Sequence, residues 1–316
     1  MMDHNITDDE TTEQPVVNAS NPANIIGEIT PFTPYNTPDS PIMFPVGLRQ
    51  VAWQTRAGQY ENLAGHKALI RLSPDAKSAS VLAVVSDSYR IVHNRELICR
   101  VEDTLMKELP ERALKDVRVT DKVAYNGRVC YREYVFPGLC SDIGAKSQIA
   151  FRIIIQNGYG GSAIRILAGA IEFWCSNGCV RGEYDAIYRR HTSGLVIEHL
   201  DTTVARSINT YVKATHEWRK WTKQPIAHEA AMELFRAIAH TPSQLEKFTD
   251  RWMTEQEDRG RNLWAAYSTL TYYASHNEGQ FAVRRESANA SAIMMQRELN
   301  VAKWIERPEF RALVPA

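Results

Sequence analysis

No Lys or Arg occurs in the first 48 residues, no apolar run approaches the length that spans a bilayer, and the five cysteines follow no framework spacing. Each shortage excludes something. Without a stretch of about 20 apolar residues the chain is not expected to cross a membrane as a helix. The start, MMDHNITDDETTEQ, has neither a basic n-region nor an apolar h-region, so no secretory signal is read there. Five unpatterned cysteines predict reduced thiols and a cytoplasmic location, not a disulfide scaffold.

The missing base in 1–48 also unbalances the charge. That segment carries Asp3, Asp8, Asp9, Glu10, Glu13, Glu28 and Asp39, so all 37 basic residues fall in 49–316 against 30 acids, a net +7 behind a net −7. Residues 1–45 are also rich in Asn, Thr and Pro, with prolines at 15, 22, 31, 34, 38, 41 and 45. So little apolar surface cannot offset the entropy of ordering, and the segment is predicted to be a disordered acidic arm. A basic body of this kind suits polyanions, although acidic tails also serve solubility.

From about Arg49 the pattern becomes that of a fold. Lys67–Leu72 and Ser80–Val85 read as strands around Ser73-Pro74-Asp75. Asn94 is placed as the N-cap of a helix from Glu96 to Leu109, ended by Pro110. Asn126-Gly127 marks one hairpin turn, and Asn157-Gly158 with Gly160-Gly161 marks another, between the apolar runs Ile149–Ile155 and Ala163–Trp174. Gly169 in the later run suggests a bulge or a close backbone approach. Beyond residue 193 the period lengthens. Leu200, Val204, Ile208, Tyr211, Thr215 and Trp218 predict a helix over 197–223, with further helices at 226–239, 242–254, 259–276 and 285–306. Thr241-Pro242-Ser243-Gln244 resembles a capping box. The expected class is α+β: an antiparallel sheet with one inserted helix in the first half and a helical second half. The segments are 1–45 (arm), 46–192 (sheet and helix) and 193–316 (helices), the last two packed as one composite domain.

Candidate chemistry gathers behind the second hairpin, at Cys175, Asn177, Cys179, Arg181, Tyr188, Arg189, Arg190 and His191. Cys175, Cys179 and His191 are one ligand short of a structural zinc site, so no metal is expected. A Cys175–His191 nucleophile pair has the right chemistry but no surrounding motif. Asp87 reads as an Asx-turn residue more readily than as a catalytic carboxylate. Gly158–Gly161 lacks the Lys-Ser/Thr of a phosphate loop, so no nucleotide cofactor is expected.

Basic and aromatic residues interleave more suggestively. Between Lys146 and Lys223 eleven bases face six acids. Arg152 and Arg165, on neighbouring strands, predict a row of guanidinium groups on one sheet face, suited to phosphates. The alternative for Arg152 and Arg165 is ion pairing with Glu133 or Glu172. Lys220 extends the basic set, Trp218 continues the apolar stripe as core, and Trp221 is expected to be exposed. Single-strand binders combine such a groove with aromatic stacking platforms.

Four segments together resemble the family known as domain of unknown function 932, found in bacteriophages, plasmids and genomic islands. The first is Val84-Val85-Ser86-Asp87-Ser88-Tyr89-Arg90-Ile91-Val92-His93-Asn94, similar to the family's "VVGDRYxxVQN". Phe173-Trp174-Cys175-Ser176-Asn177 and Arg190-His191-Thr192-Ser193-Gly194 form the second. The third runs Asn262-Leu263-Trp264-Ala265-Ala266-Tyr267 on to Tyr272 and His276, and the fourth is Arg285-Glu286-Ser287-Ala288. Gly178-Cys179 and Asn289 depart from the pattern. The resemblance implies a mobile-element protein and marks Asp87, Tyr89, Asn94, Cys175, Asn177, His191, Trp264 and Tyr267 as family positions. It implies no reaction.

The expected function is non-enzymatic: single-stranded DNA binding or annealing in replication or recombination, by a homo-oligomer. The acidic arm would compete for the DNA groove or recruit a host or phage replication protein. Two other readings compete, a protein that binds a host protein in counter-defence, and an enzyme centred on Asp87, Cys175 and His191.

Overall fold

A computed structural model describes residues 40–73, 78–172, 178–179, 199–276 and 290–315. The chain begins with β1 (Val46–Gln54), β2 (Tyr60–Leu72) and β3 (Ala79–Ser86), an antiparallel sheet in that order. Helix α1 (Asn94–Glu108) follows, and Leu109 leaves the helix in an extended conformation before Pro110, which cannot continue it. Then come β4 (Arg118–Ala124), β5 (Val129–Gly144), β6 (Ser147–Gly158), β7 (Arg165–Glu172) and β8 (Gly178–Cys179), a second antiparallel sheet in sequence order. The second half is helical: α2 (His199–Lys223), α3 (His228–Ile238), α4 (Pro242–Arg259), α5 (Leu263–His276), α6 (Ala290–Ile305) and α7 (Pro308–Arg311).

The class is therefore α+β with strands first and helices after. The single sheet read from the sequence is instead two, with α1 between them in the chain. The break has a local cause: after β3 the segment Asp87–His93 turns away, its Tyr89 hydroxyl accepting the Gly160 N–H at 3.4 Å.

One face of the five-stranded sheet presents Ile149, Phe151, Ile153, Ile155 and Ile166 to the main core. Leu97, Val101 and Leu105 of α1, Val204, Tyr211 and Trp218 of α2, and Trp264 and Tyr267 of α5 fill the same core. The alternate residues Ile154 and Leu167 point the other way, onto Tyr131 and onto Met295 of α6. A strand pair covered on both faces explains the near-continuous apolar run of β6.

Capping follows the sequence at one helix and departs from it at another. The Thr241 side chain accepts the Gln244 N–H at 3.2 Å, with Pro242 at the first helical turn. Asn94, read as an N-cap, lies inside α1 behind His93 and caps nothing. Its amide is buried, donating to the Ile42 carbonyl at 2.7 Å and accepting from Asn157 Nδ2 at 2.8 Å. Asn157 also departs from expectation. It belongs to β6, and the tighter turn lies beyond it at Gly160 and Gly161, which have φ of 65° and 96°. At Gly160 a Cβ would stand 2.2 Å from that of Ala83, so only glycine lets this turn close against β3. Gly169 marks no bulge: the β6–β7 register runs unbroken, with Gly169 directly across from Arg152.

Candidate nucleic-acid interface

Three buried arginines set the electrostatics of the interior, each held between two carboxylates. Arg132 grips Asp121 with two bonds of 2.7 and 2.6 Å and Glu102 with one of 3.0 Å; the Tyr134 hydroxyl donates to the same Glu102 oxygen at 2.6 Å. Arg152 bonds Glu133 and both oxygens of Glu298, the latter at 3.0 and 3.1 Å. Arg259 bonds Glu172, Glu255 and the Ser147 hydroxyl, which also receives Trp264 Nε1 at 2.9 Å. Burial raises the acid pKa of Glu102, Glu172 and Glu298, against the opposing pull of the arginine each one meets. Such clamps join β4, α1 and β5, then the sheet and α6, then the sheet and α4. They lock elements together and leave no free guanidinium.

This corrects the expected phosphate-tracking row. Arg152 and Arg165 do share a sheet face, since Arg152 opposes Gly169 and Gln156 opposes Arg165. That face, however, is covered by α6, and Arg152 is only 5% exposed. Arg165 is half-buried at the start of β7. Lys220 is exposed in the last turn of α2, but its neighbours Trp218 and Trp221 are both core. Trp221, expected at the surface, packs edge-on against Tyr267 and Phe310, both at 5.3 Å between ring centroids. Arg181, Tyr188, Arg189, Arg190, His191, Cys175 and Asn177 lie outside the described residues, as does the side chain of Cys179. Among the described residues no group of three or more His, Cys, Asp or Glu is placed to hold a metal ion. Within those residues, too, no helix is long and apolar enough to cross a membrane.

The surface offers a different assembly, absent from the sequence reading. β1 and β2 form a hairpin whose far half is exposed along both strands. Its tip is well built: Gly58 N–H donates to Thr55 O at 2.9 Å, Thr55 N–H to Gln59 O at 2.8 Å, and Gly58 takes a φ of 81°. Trp53 pairs across the ladder with Glu61, and Gln54 with Tyr60. Trp53 is 54% and Tyr60 75% exposed, large apolar rings left in water at the end of a ribbon. Between Val46 and Leu72 four bases (Arg49, Arg56, Lys67 and Arg71) face one acid, Glu61. The sequence signal was Trp53 and Tyr60 flanking a Gly-containing turn with a base inside it.

At its root the hairpin meets a second basic group. Arg71 lies over the Phe44 ring at 4.0 Å and reaches the Asn126 carbonyl at 3.4 Å. Gly127, with φ of 100°, leaves no room for a Cβ beside Phe44 and Arg71, which brings the Tyr125–Gly127 turn against β2. Arg128 follows, exposed, its carbonyl accepting Tyr159 N–H at 2.7 Å. Arg90 lies next to Tyr89, and burial pushes the Tyr89 phenol up to about 12, so it stays a neutral hydrogen-bonding brace. Arg71 and the turn that leads to Arg128 thus meet at the root of the hairpin.

A family model described as Domain of unknown function (DUF932) matches residues 81–299. The chain belongs to that family. Neither a curated protein nor a solved structure matches it. Of the family positions marked above, the described ones other than Asp87 serve the interior. Asn94 joins Ile42 to Asn157, Trp264 and Tyr267 are core, and Tyr89 is half-buried against Gly160. Asp87 is exposed and lies 3.7 Å from Lys67. The matched region begins at Val81, so β1 and β2 precede it.

Proposed function

We propose that the protein binds single-stranded nucleic acid, and that the β1–β2 hairpin with the turns at its root is the contact surface. The observation that carries this reading is the presence of two exposed rings, Trp53 and Tyr60 on opposite faces of one projecting ribbon, with Arg49 and Arg56 exposed along the same ribbon. Aromatic rings stack on any base, and guanidinium groups hold the backbone without reading sequence. A hairpin suits a flexible strand better than a duplex, because planar side chains at its tip need unpaired bases. Binding or annealing of single strands during replication or recombination of a mobile element, by a homo-oligomer, is the role most consistent with this surface and with the resemblance. No enzymatic step is needed.

The test is fluorescence anisotropy with labelled single- and double-stranded oligonucleotides of the same length, across a salt series. The expected result is preference for the single strand, with log affinity falling linearly with log salt. Absence of binding to either at low salt would overturn the reading.

A further inference from the structure

Helix α6 covers only part of the sheet face that holds Arg152, and a cleft remains between it and the edge strand β4. Ile154, Met294 and Met295 give the cleft apolar walls, and the Glu133–Arg152–Glu298 clamp lines it as well. About 320 Å³ of space lies inside, its open mouth included. That size suits a small molecule and not a polymer. Three donors of this face have no use in the scaffold. Lys122, half-buried and opposite Tyr131 in the β4–β5 ladder, makes no hydrogen bond or ion pair among the described residues and feels Glu298 only at a distance. The Tyr131 hydroxyl also lines the cleft without a hydrogen bond to the described residues, and burial raises its pKa, so it stays a proton donor. Arg118 lies on the same face of β4, two residues before Thr120, and its Nη1 is buried with no acceptor.

We propose that this cleft binds a small amphipathic anion, its apolar chain or ring resting on Ile154, Met294 and Met295 and its carboxylate or phosphate held at the β4 rim by Lys122 and Arg118. The acids of the cleft do not oppose this. Glu133 and both oxygens of Glu298 are already engaged by Arg152, so Arg118 and Lys122 are the charges left over. What remains unmatched is donors only, and a cationic ligand would leave them without acceptors. Methionine side chains adapt to the shape of an apolar guest, which lets one cleft accept a chain or a ring. The site goes beyond the nucleic-acid reading. It uses no residue of the β1–β2 hairpin, so the two readings stand or fall separately.

The probe is anilinonaphthalene sulfonate, an aromatic anion whose fluorescence rises on binding, titrated into the full chain at low salt. Three variants are compared with the unaltered protein. Lys122→Met removes the charge at the rim, and Met294→Trp fills the apolar wall with an indole. Trp53→Ala/Tyr60→Ala removes exposed rings that the dye could otherwise report. The expected result is saturable binding that weakens about tenfold or more in Lys122→Met and in Met294→Trp and is unchanged in the hairpin variant. No binding by the unaltered chain, undiminished affinity in Lys122→Met or in Met294→Trp, or a loss in the hairpin variant would each overturn the proposal. Displacement then identifies the source of the anion. Octanoate alone displacing the dye supports an aliphatic carboxylate, thymidine monophosphate alone supports a nucleotide, and both together support the shared chemistry. Displacement by neither would mark the dye as an adventitious additive only, and octanol displacing it as readily as octanoate would remove the need for charge; either outcome overturns the site.

Discussion

The arginines of the five-stranded sheet and those of the β1–β2 hairpin are the same residue type put to opposite uses. Arg132, Arg152 and Arg259 are buried or nearly so, and each bridges two carboxylates from different elements. Arg49 and Arg56 lie on a ribbon whose far end is exposed among the described residues. A guanidinium with two buried acid partners costs too much to expose. One exposed on the hairpin is the kind that the proposed polyanion contact requires. The family match covers the first kind and stops short of the second. The matched span thus contains the clamps, and the hairpin proposed as the contact surface lies before it.

That contrast can be broken most severely at Arg152. Arg152→Ala leaves Glu133 and Glu298 buried without a cation and should cost about 3–5 kcal/mol of stability. Urea unfolding reads this, and a loss under 1 kcal/mol would show the clamp to be ornamental. At the hairpin the expected pattern reverses. Trp53→Ala should leave the unfolding midpoint in place and weaken single-strand affinity by about 1–3 kcal/mol, the worth of one stacked base. A large drop in stability would instead mean that Trp53 packs on something.

Acidity probes the interior from another side. Burial raises the folded-state pKa of Glu298 above its ordinary value near 4.5, so between those two pH values the folded state holds more protons than the unfolded one. Stability gained through this group is therefore present at low pH and lost as pH rises through its raised pKa. Glu298→Gln, which keeps a polar partner for Arg152, should flatten the gain in unfolding midpoint expected as pH falls through that raised pKa. An unchanged slope would assign that gain to Glu102 or Glu172. The smallest effect belongs to Arg56. Arg56→Ala should reduce the salt slope of single-strand binding by about 0.7, one phosphate contact, with no change in stability.

Much of the fold was legible in the sequence. Apolar runs broken at Asn126-Gly127 and at the Gly158–Gly161 stretch place β4 to β7, and Thr241-Pro242 marks the start of α4, because turn and cap chemistry are local. What escaped depends on partners distant in sequence. Asn94 looked like a cap until Asn157 and Ile42 were seen to surround it. Trp221 looked free until Phe310 closed over it. Arg152 looked like a ligand-holding residue, and Glu298, 146 positions later, makes it a clamp. The far half of the hairpin went unread for the opposite reason: exposed along both strands, it has no alternation to announce it, and only Trp53, Arg56, Gly58 and Tyr60 around a turn hinted at its presence.

The most direct test of this division between scaffold and surface is the doubly substituted Trp53→Ala/Tyr60→Ala chain. Its single-strand affinity and its urea unfolding are measured side by side with those of the unaltered protein. The expected result is a loss of affinity of at least tenfold with an unfolding midpoint that does not move. Unaltered affinity, or a collapse of stability that accounts for the lost binding, would contradict it.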